Sequence, residues 1–293
     1  MDNPEQDIWS RWLLERRFGG DMDRMKVMTD YLYPLRDSVL SRIHLEPGET
    51  LLDVGCGDGL IAFGALEKFE GCRVIFSDIS DDLLRHAEAL AREMNVHDRC
   101  RFVHASADDL SALPDGSVDA VTTRSVLIYV ANKQQAFREF HRVLREGGAL
   151  SIFEPISRFS LPEPPDRFEG YDVTPVADLA GKLTAFYYNI QPLETDPMID
   201  FDERDLMIQA EQAGFSEIHL ELQAHVKPTG DTYGDWSSFV NAAMNPKAPT
   251  LAEAMRDVLT PEETERFTNH LRPLVDAGQG THRLAVAYLW ATK

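Results

Sequence analysis

Apolar residues between positions 50 and 154 follow two patterns that alternate along the chain. Short apolar runs without strict apolar/polar alternation are typical of strands covered on both faces of a sheet. They alternate with segments of helical spacing, such as the stripe between Leu83 and Met94. This order predicts a doubly wound α/β sheet with right-handed crossovers. The predicted strands are 51–54, 73–76, 101–104, 118–122 and 149–153.

One predicted helix has recognisable signals at both ends. Phe137 and Phe140 lie on its apolar stripe, and Asn132 precedes them as a candidate N-cap. Gly147 and Gly148 follow and are expected to end the helix. This helix should connect the last two strands of the alternating region.

The second half of the chain breaks this alternation. A helix is predicted over 203–213 and ends at Gly214. Residues 217–226 alternate apolar and polar, which predicts a strand with one solvated face. After a long gap, the apolar run 284–290 predicts a strand inside the sheet. Helices are predicted within the gap, around 236–244, 251–259 and 261–277. The predicted organisation is a helical leader or cap (1–44), a core (45–154), a substrate-cover insertion (155–202), the end of the sheet (203–226 and 282–293) and a helical lid (227–281).

Composition excludes several classes of protein. The 293 residues include 29 Lys and Arg against 49 Asp and Glu, which gives a formal net charge of −20. Such a surface repels nucleic-acid phosphate and anionic lipid unless basic residues form a separate patch. The sequence shows no basic stretch that is separate from acidic residues. The longest apolar run, 126–131, is far shorter than the roughly 20 residues of a membrane helix. We therefore expect a cytoplasmic monomer or homodimer with reduced cysteines and without nucleic-acid or membrane partners.

The strongest chemical signal is the segment 53–59, Asp-Val-Gly-Cys-Gly-Asp-Gly. It follows a predicted strand, and a helix is predicted to begin near Leu60. Glycines let a ligand approach the backbone, and free amides at the start of a helix favour a negative group. The dinucleotide fingerprint G-x-G-x-x-G would need its third glycine at position 60, which is leucine. The spacing therefore argues against a nicotinamide cofactor.

With this loop the chain resembles the class I S-adenosylmethionine-dependent methyltransferases, in the small-molecule branch similar to the ubiquinone/menaquinone methyltransferases. The resemblance covers about residues 45–154. It implies a Rossmann-like seven-stranded sheet with helical insertions that form a lid, and a core that binds S-adenosyl-L-methionine. In related enzymes a leader such as 1–44, whose apolar helical stripe (Ile8, Trp9, Trp12 and Leu13) is broken at 17–21, closes over the cofactor; a helix packed on the edge of the sheet is the alternative.

The resemblance also implies which residues bind the cofactor. Gly55 and Gly57 would wrap its methionine part, and Asp53 would order the loop and the ammonium group. Asp78 would bind both ribose hydroxyls, because a carboxylate can accept two hydrogen bonds at once, and Ile79 would lie against the adenine. The alternative role for Asp78 is to cap the next helix, for which Ser80 is better placed.

Two later segments complete the implied cofactor site. Ala107 and Asp108 would lie at the adenine edge. Ser106 stands where relatives usually have Asp, which leaves Asp109 as an alternative carboxylate. Arg124 is unusual at its position, and it would either contact the methionine carboxylate or brace its own loop.

No comparably specific motif marks the acceptor side. Glu154 ends a strand at the edge where ligands bind in open α/β sheets, so it is a candidate catalytic residue, with loop capping as the alternative. Tyr129 is a second candidate, with packing as the alternative. Trp236 and Phe239, about one helical turn apart in the predicted lid, are candidate contacts for an apolar acceptor, with a helical appendage or dimer contact at the far edge of the sheet as the alternative. The His and Cys spacing predicts no metal site.

The predicted activity is transfer of the sulfonium methyl group to a nucleophile on a small organic molecule. The sulfonium supplies the activation, so the protein mainly aligns the reactants and excludes water. Two alternatives stay open. One is a cofactor-binding relative that transfers nothing and acts as a regulator or partner subunit. The other is a nicotinamide-dependent oxidoreductase.

Overall fold

The computed structural model describes residues 6–17, 22–230, 235–243 and 245–293, with the backbone alone at 22–29. The helices are α1 (Ile8–Arg11), α2 (Met22–Leu40), α3 (Leu60–Lys68), α4 (Asp81–Glu93), α5 (Lys133–Val143), α6 (Ala177–Ile190), α7 (Glu203–Ala213), α8 (Trp236–Asn241), α9 (Leu251–Val258) and α10 (Pro261–Asp276). The strands are β1 (Thr50–Val54), β2 (Arg73–Asp78), β3 (Cys100–His104), β4 (Val118–Arg124), β5 (Leu144–Pro155), β6 (Arg167–Phe168), β7 (Tyr171–Asp172), β8 (Ser216–Pro228) and β9 (Thr281–Thr292).

Seven of these strands form one sheet in the order β3-β2-β1-β4-β5-β9-β8. Strands β1 to β5 pair in parallel, whereas β9 is antiparallel to both β5 and β8. The strand order reverses between β1 and β4, and open α/β sheets bind ligands at such a switch point. The predicted doubly wound, Rossmann-like sheet is confirmed.

Helices cover both faces of the sheet. Helices α5 and α7 cover one face and bury Phe137, Phe140 and Leu206, while α2, α3 and α4 cover the other. Adjacent residues of β1 belong to different cores. Leu51 packs on the face covered by α2, α3 and α4, whereas Leu52 packs on the face covered by α5 and α7. Both positions must therefore be apolar, which is why the parallel strands show no alternation.

The end of α5 differs from the prediction. Asn132 caps the helix as expected, but the helix ends at Val143 and the glycines lie inside β5. The pairing of β4 with β5 is irregular here, and a Cβ on Gly148 would lie 2.8 Å from the Arg145 carbonyl oxygen. The glycines therefore permit a close backbone approach in a bulged strand and do not end the helix.

Strand β8 also departs from expectation, because both of its faces are open to solvent over its second half. Ile218 and Leu220 pack against the core under α7, whereas Leu222 and Val226 are 44% and 53% exposed. Strand β8 lies at the edge of the sheet, where side chains have neighbouring strands on one side only. The other prediction for this region is confirmed, since α7 ends at Gly214 in a left-handed conformation.

The two insertions share a third hydrophobic core. Tyr171 and Leu179 of the first insertion pack in one cluster with Phe239 and Leu271 of the second. The predicted cover and lid thus pack together, although residues 203–226, which hold α7 and most of β8, separate them in sequence. No described helix is long and apolar enough to cross a membrane. Most of the predicted break in the leader at 17–21, namely 18–21, and the predicted helix end at Met244 lie outside the described residues.

Candidate functional site

The glycine loop joins β1 to α3, which begins at Leu60 as predicted. Gly55 and Gly57 have positive φ angles of 64° and 57°, a region that few other residues adopt without strain. A Cβ on Gly55 would lie 2.3 Å from Cγ2 of Val126, in the segment that follows β4. The loops after β1 and β4 therefore meet in a contact that only glycine permits.

Asp78, at the end of β2, is tied to this loop. Its Oδ2 accepts a hydrogen bond of 2.9 Å from the Gly57 N–H, and its Oδ1 accepts one of 2.9 Å from the Ser80 N–H. Burial raises the pKa of the Asp78 carboxyl, against the backbone hydrogen bonds, which lower it. The side chain of Ser80, not that of Asp78, caps α4. The capping alternative for Asp78 therefore has no support in the geometry.

A cavity of about 430 Å³ opens at the carboxyl ends of β1, β2 and β4. Most of the sequence-predicted residues meet in its wall, which includes Gly55, Gly57, Asp78, Ile79, Ala107, Asp108, Arg124 and Tyr129. Asp108 and Asp109 were the alternative carboxylates for the adenine edge. Asp108 lines the cavity, whereas Asp109 is solvent-exposed outside it. The Asp108 carboxylate accepts a short hydrogen bond from the Ser106 hydroxyl.

Asp53 lies beneath the loop and not in the cavity wall. It is buried, and its Oδ1 accepts a hydrogen bond of 2.9 Å from the Thr122 hydroxyl on β4. Burial raises the pKa of Asp53 to about 7, and the bond from Thr122 and the charge of Arg124 oppose this rise. Its position is that of a carboxylate that supports the loop from below.

Glu154 is enclosed by the loop that follows β4. Its Oε1 accepts hydrogen bonds from the backbone N–H groups of Val126 and Leu127, both at 2.9 Å, and from the Thr123 hydroxyl at 3.2 Å. Its Oε2 accepts one from the Ile128 N–H at 3.3 Å. Burial raises the pKa of Glu154 to about 7, against these bonds. The carboxylate is engaged with this loop and is absent from the cavity wall.

The leader supplies part of the cavity wall that the sequence prediction did not assign. Trp9, Trp12, Leu13 and Arg17 all line the cavity. The Trp9 ring packs edge-on against Tyr129, with centroids 5.0 Å apart. The resemblance implies a leader that closes over the cofactor, but no local signal marks these four residues as part of the cavity wall.

Trp236 and Phe239 lie outside the cavity wall. Their ring centroids are 5.8 Å apart, and Phe239 packs edge-on against Tyr171 in the core shared by the two insertions. Neither ring is among the residues that line the cavity in the described parts of the chain. Met198, in the first insertion, does line it, and nothing in the local sequence marked this residue.

The comparisons with known proteins agree with this site. Residues 52–152 match the family described as a methyltransferase domain. The ubiquinone/menaquinone biosynthesis C-methyltransferase UbiE of Hahella chejuensis is 33% identical over 57% of this chain and 67% of that protein. The demethylmenaquinone methyltransferase of Clavibacter sepedonicus is 31% identical over 62% of this chain and 75% of that protein. The chain spans only 36% of another relative, an uncharacterized transposon protein of Streptomyces fradiae, at 35% identity over 43% of this chain.

Solved structures with the same fold carry different activities. A geranyl diphosphate methyltransferase in complex with S-adenosylmethionine superposes with a TM-score of 0.51 and 18% identity, over 89% of this chain and 84% of that one. The [4+2]-cyclase SpnF superposes equally well, at 0.51 and 22% identity, over 89% and 80%. The fold alone therefore does not decide the activity. On the sequence similarity, the chain belongs to the class I S-adenosylmethionine-dependent methyltransferases and is an enzyme with S-adenosylmethionine as its cofactor.

Proposed function

We propose that this enzyme methylates a small, largely apolar organic molecule, and that the residues around the switch point hold the cofactor. Asp78 would accept hydrogen bonds from the ribose hydroxyls, and Asp108 would accept one from the adenine amine. Ile79 is 45% exposed beside the cavity, and this open apolar surface suits a flat base. When bound, the cofactor supplies an electrophilic methyl group on its sulfonium.

The wall beyond these polar residues supports an apolar acceptor. It includes the rings of Trp9, Trp12 and Tyr129 and the side chains of Val130 and Met198. Large aromatic surfaces bind apolar ligands and exclude water from the reacting atoms. This aromatic and aliphatic wall is the observation that carries the proposal.

A small molecule fits better than a nucleic acid as acceptor. The net charge of −20 repels phosphate at long range, and a cavity of about 430 Å³ is of the size that holds small ligands. The UbiE and demethylmenaquinone relatives are named for reactions on small molecules, which agrees with this class.

The side chains around the cavity suggest that no strong protein base takes part. Among the described residues that line it there is no His, Lys or Cys. Burial raises the pKa of Tyr129 to about 12, so this phenol stays protonated at neutral pH. We therefore propose that the acceptor presents a nucleophile that is already unprotonated, and that the enzyme acts chiefly by alignment.

The test has a binding stage and a turnover stage. Calorimetric titration should show binding of S-adenosylhomocysteine and no binding of NAD. The purified enzyme is then incubated with S-adenosylmethionine and small apolar acceptors that carry a carboxylate, an acidic phenol, an aromatic amine or a thiolate, and S-adenosylhomocysteine release is measured. Transfer RNA serves as the macromolecular comparison.

The outcomes separate the alternatives. Release that depends on a small apolar acceptor supports the proposal, whereas release only with transfer RNA overturns the acceptor class. Tight binding of S-adenosylhomocysteine without release from any acceptor would favour a cofactor-binding relative that acts as a regulator or partner subunit. Binding of NAD alone would favour the oxidoreductase.

A further inference from the structure

Asp7 connects the leader to the segment that follows β2. Its Oδ1 caps α1 by accepting hydrogen bonds of 2.9 Å from the Trp9 and Ser10 N–H groups. Its Oδ2 accepts a hydrogen bond of 2.6 Å from the Ser80 hydroxyl, and its own N–H donates to Oδ2 of Asp82 at 2.7 Å. One residue thus starts the leader helix and fastens it to the start of α4.

Ser80 continues this connection to the cofactor side of the cavity. Its N–H donates to Asp78, and its hydroxyl oxygen accepts a hydrogen bond of 3.0 Å from the Leu83 N–H. Because Asp78 in turn accepts from the Gly57 N–H, a chain of hydrogen bonds leads from Asp7 to the glycine loop. Asp78 and the atoms that hold the start of the leader therefore belong to one chain of hydrogen bonds.

The other end of the leader is held by the second insertion. The Trp12 indole N–H donates a hydrogen bond of 2.8 Å to the Ala243 carbonyl, and the Ala243 N–H donates one of 3.0 Å to the Arg16 carbonyl. Arg16 also forms an ion pair of 2.5 Å with Glu253 on α9. The segment held by these two attachments carries Trp9 and Trp12, which line the cavity.

We propose that Asp7 is a positioning residue, which through Ser80 links occupancy of the cofactor site to placement of the leader over the cavity. The proposal rests on the proposed function, because the link operates only if Asp78 binds the ribose. In this arrangement the contacts of Asp7 hold Trp9 and Trp12 in the acceptor wall, and a ribose bound to Asp78 stabilises the same chain of hydrogen bonds. The part of the leader that lines the cavity, residues 7–17, is a short segment, so its placement depends on these contacts.

The test compares wild-type enzyme with Asp7→Ala, Ser80→Ala and the double variant. Thr260→Ala is the matched control, because Thr260 caps α10 with its side chain and no residue of α10 lines the cavity. S-adenosylhomocysteine is the probe. Its affinity is measured by calorimetry, and amide hydrogen exchange is followed in the leader, residues 7–17, with and without the probe.

In the wild type and in Thr260→Ala, S-adenosylhomocysteine should slow amide exchange in the leader. In Asp7→Ala this slowing should be lost, and affinity should fall by roughly tenfold, the scale of a hydrogen bond to a charged group. If Asp7 acts through Ser80, the double variant should bind about as weakly as the weaker single variant, because coupled residues are not additive.

Two results would overturn the inference while leaving the methyltransferase function intact. One is an unchanged affinity in Asp7→Ala together with normal protection of its leader. The other is additive losses in the double variant. If the wild type does not bind S-adenosylhomocysteine, the result contradicts the proposed cofactor site and not the role of Asp7 alone. Melting temperatures without ligand show whether any variant has lost its fold.

Discussion

The Gly57 N–H donates a hydrogen bond of 2.9 Å to the Asp78 carboxylate, so the glycine loop after β1 and the end of β2 are held together. These two segments are about 20 residues apart in the chain, yet they form adjoining parts of the cavity wall. The carboxylate has lone pairs left for a ligand after accepting from two backbone amides. This relationship makes Asp78 the residue whose loss should affect cofactor binding most.

We expect Asp78→Ala to weaken binding of S-adenosylhomocysteine by roughly 1.5–3 kcal/mol, the scale of hydrogen bonds to a charged group. Asp108→Ala should cost less, because one adenine amine is a single neutral donor. Asp109→Ala is the matched control and should bind normally, since Asp109 is exposed outside the cavity. Calorimetry measures all three, and normal binding by Asp78→Ala would contradict the assignment.

Asp53 should make stability depend on pH. Its pKa is about 7 in the folded protein against an ordinary value of 3.8, so its contribution to stability is present at low pH and is lost as pH rises from about 4 through about 7. Asp53→Asn keeps an oxygen that can accept from Thr122 and removes the ionisation. The melting temperature of the variant should therefore rise relative to wild type between pH 5 and pH 8, by roughly 2–4 °C per kcal/mol. Parallel melting curves across this range would refute the expectation.

The variant Glu154→Gln distinguishes between two roles of Glu154, that of a catalytic base and that of a carboxylate that caps the loop after β4. Glutamine can keep its oxygen toward Thr123, Val126 and Leu127, which contact Oε1 in the wild type. We expect turnover with an identified acceptor to stay within about threefold, whereas removing a general base costs on the order of 10²–10⁴.

Glu154→Ala is the companion variant, because it leaves three buried N–H groups without an acceptor. We expect it to lower the free energy of unfolding by several kcal/mol, at about 1–3 kcal/mol for each unsatisfied group. A hundredfold loss of turnover in Glu154→Gln with normal stability would establish the catalytic role.

Trp12 and Trp236 should differ in their effect on the acceptor. Trp12 lines the cavity and bonds to Ala243, so Trp12→Ala should raise the acceptor KM by about tenfold or more, as expected for lost acceptor contacts. Trp236→Ala removes a ring that packs on Phe239 outside the cavity, so it should chiefly lower the melting temperature. An equal rise of KM in Trp236→Ala would show that the helical insertion contacts the acceptor directly.

The alternating core could be predicted from the sequence because its signals are local. Each parallel strand is a short apolar run, each helix has an apolar stripe, and the glycine loop carries its spacing within seven residues. Caps at Asn132 and Ser80 and the stop at Gly214 depend on neighbours a few positions away. Such features can be recognised in the sequence without knowledge of the fold.

The acceptor side was decided only by tertiary structure. No pattern near Glu154 shows that three backbone N–H groups of the loop after β4 and the Thr123 hydroxyl at the end of β4 converge on its carboxylate. Likewise, the stripe of Trp9 and Trp12 predicts a buried face, but the cavity that it covers is built from residues more than 40 positions away. Local sequence encodes the period and ends of an element, whereas the identity of the surface on which it packs depends on long-range contacts.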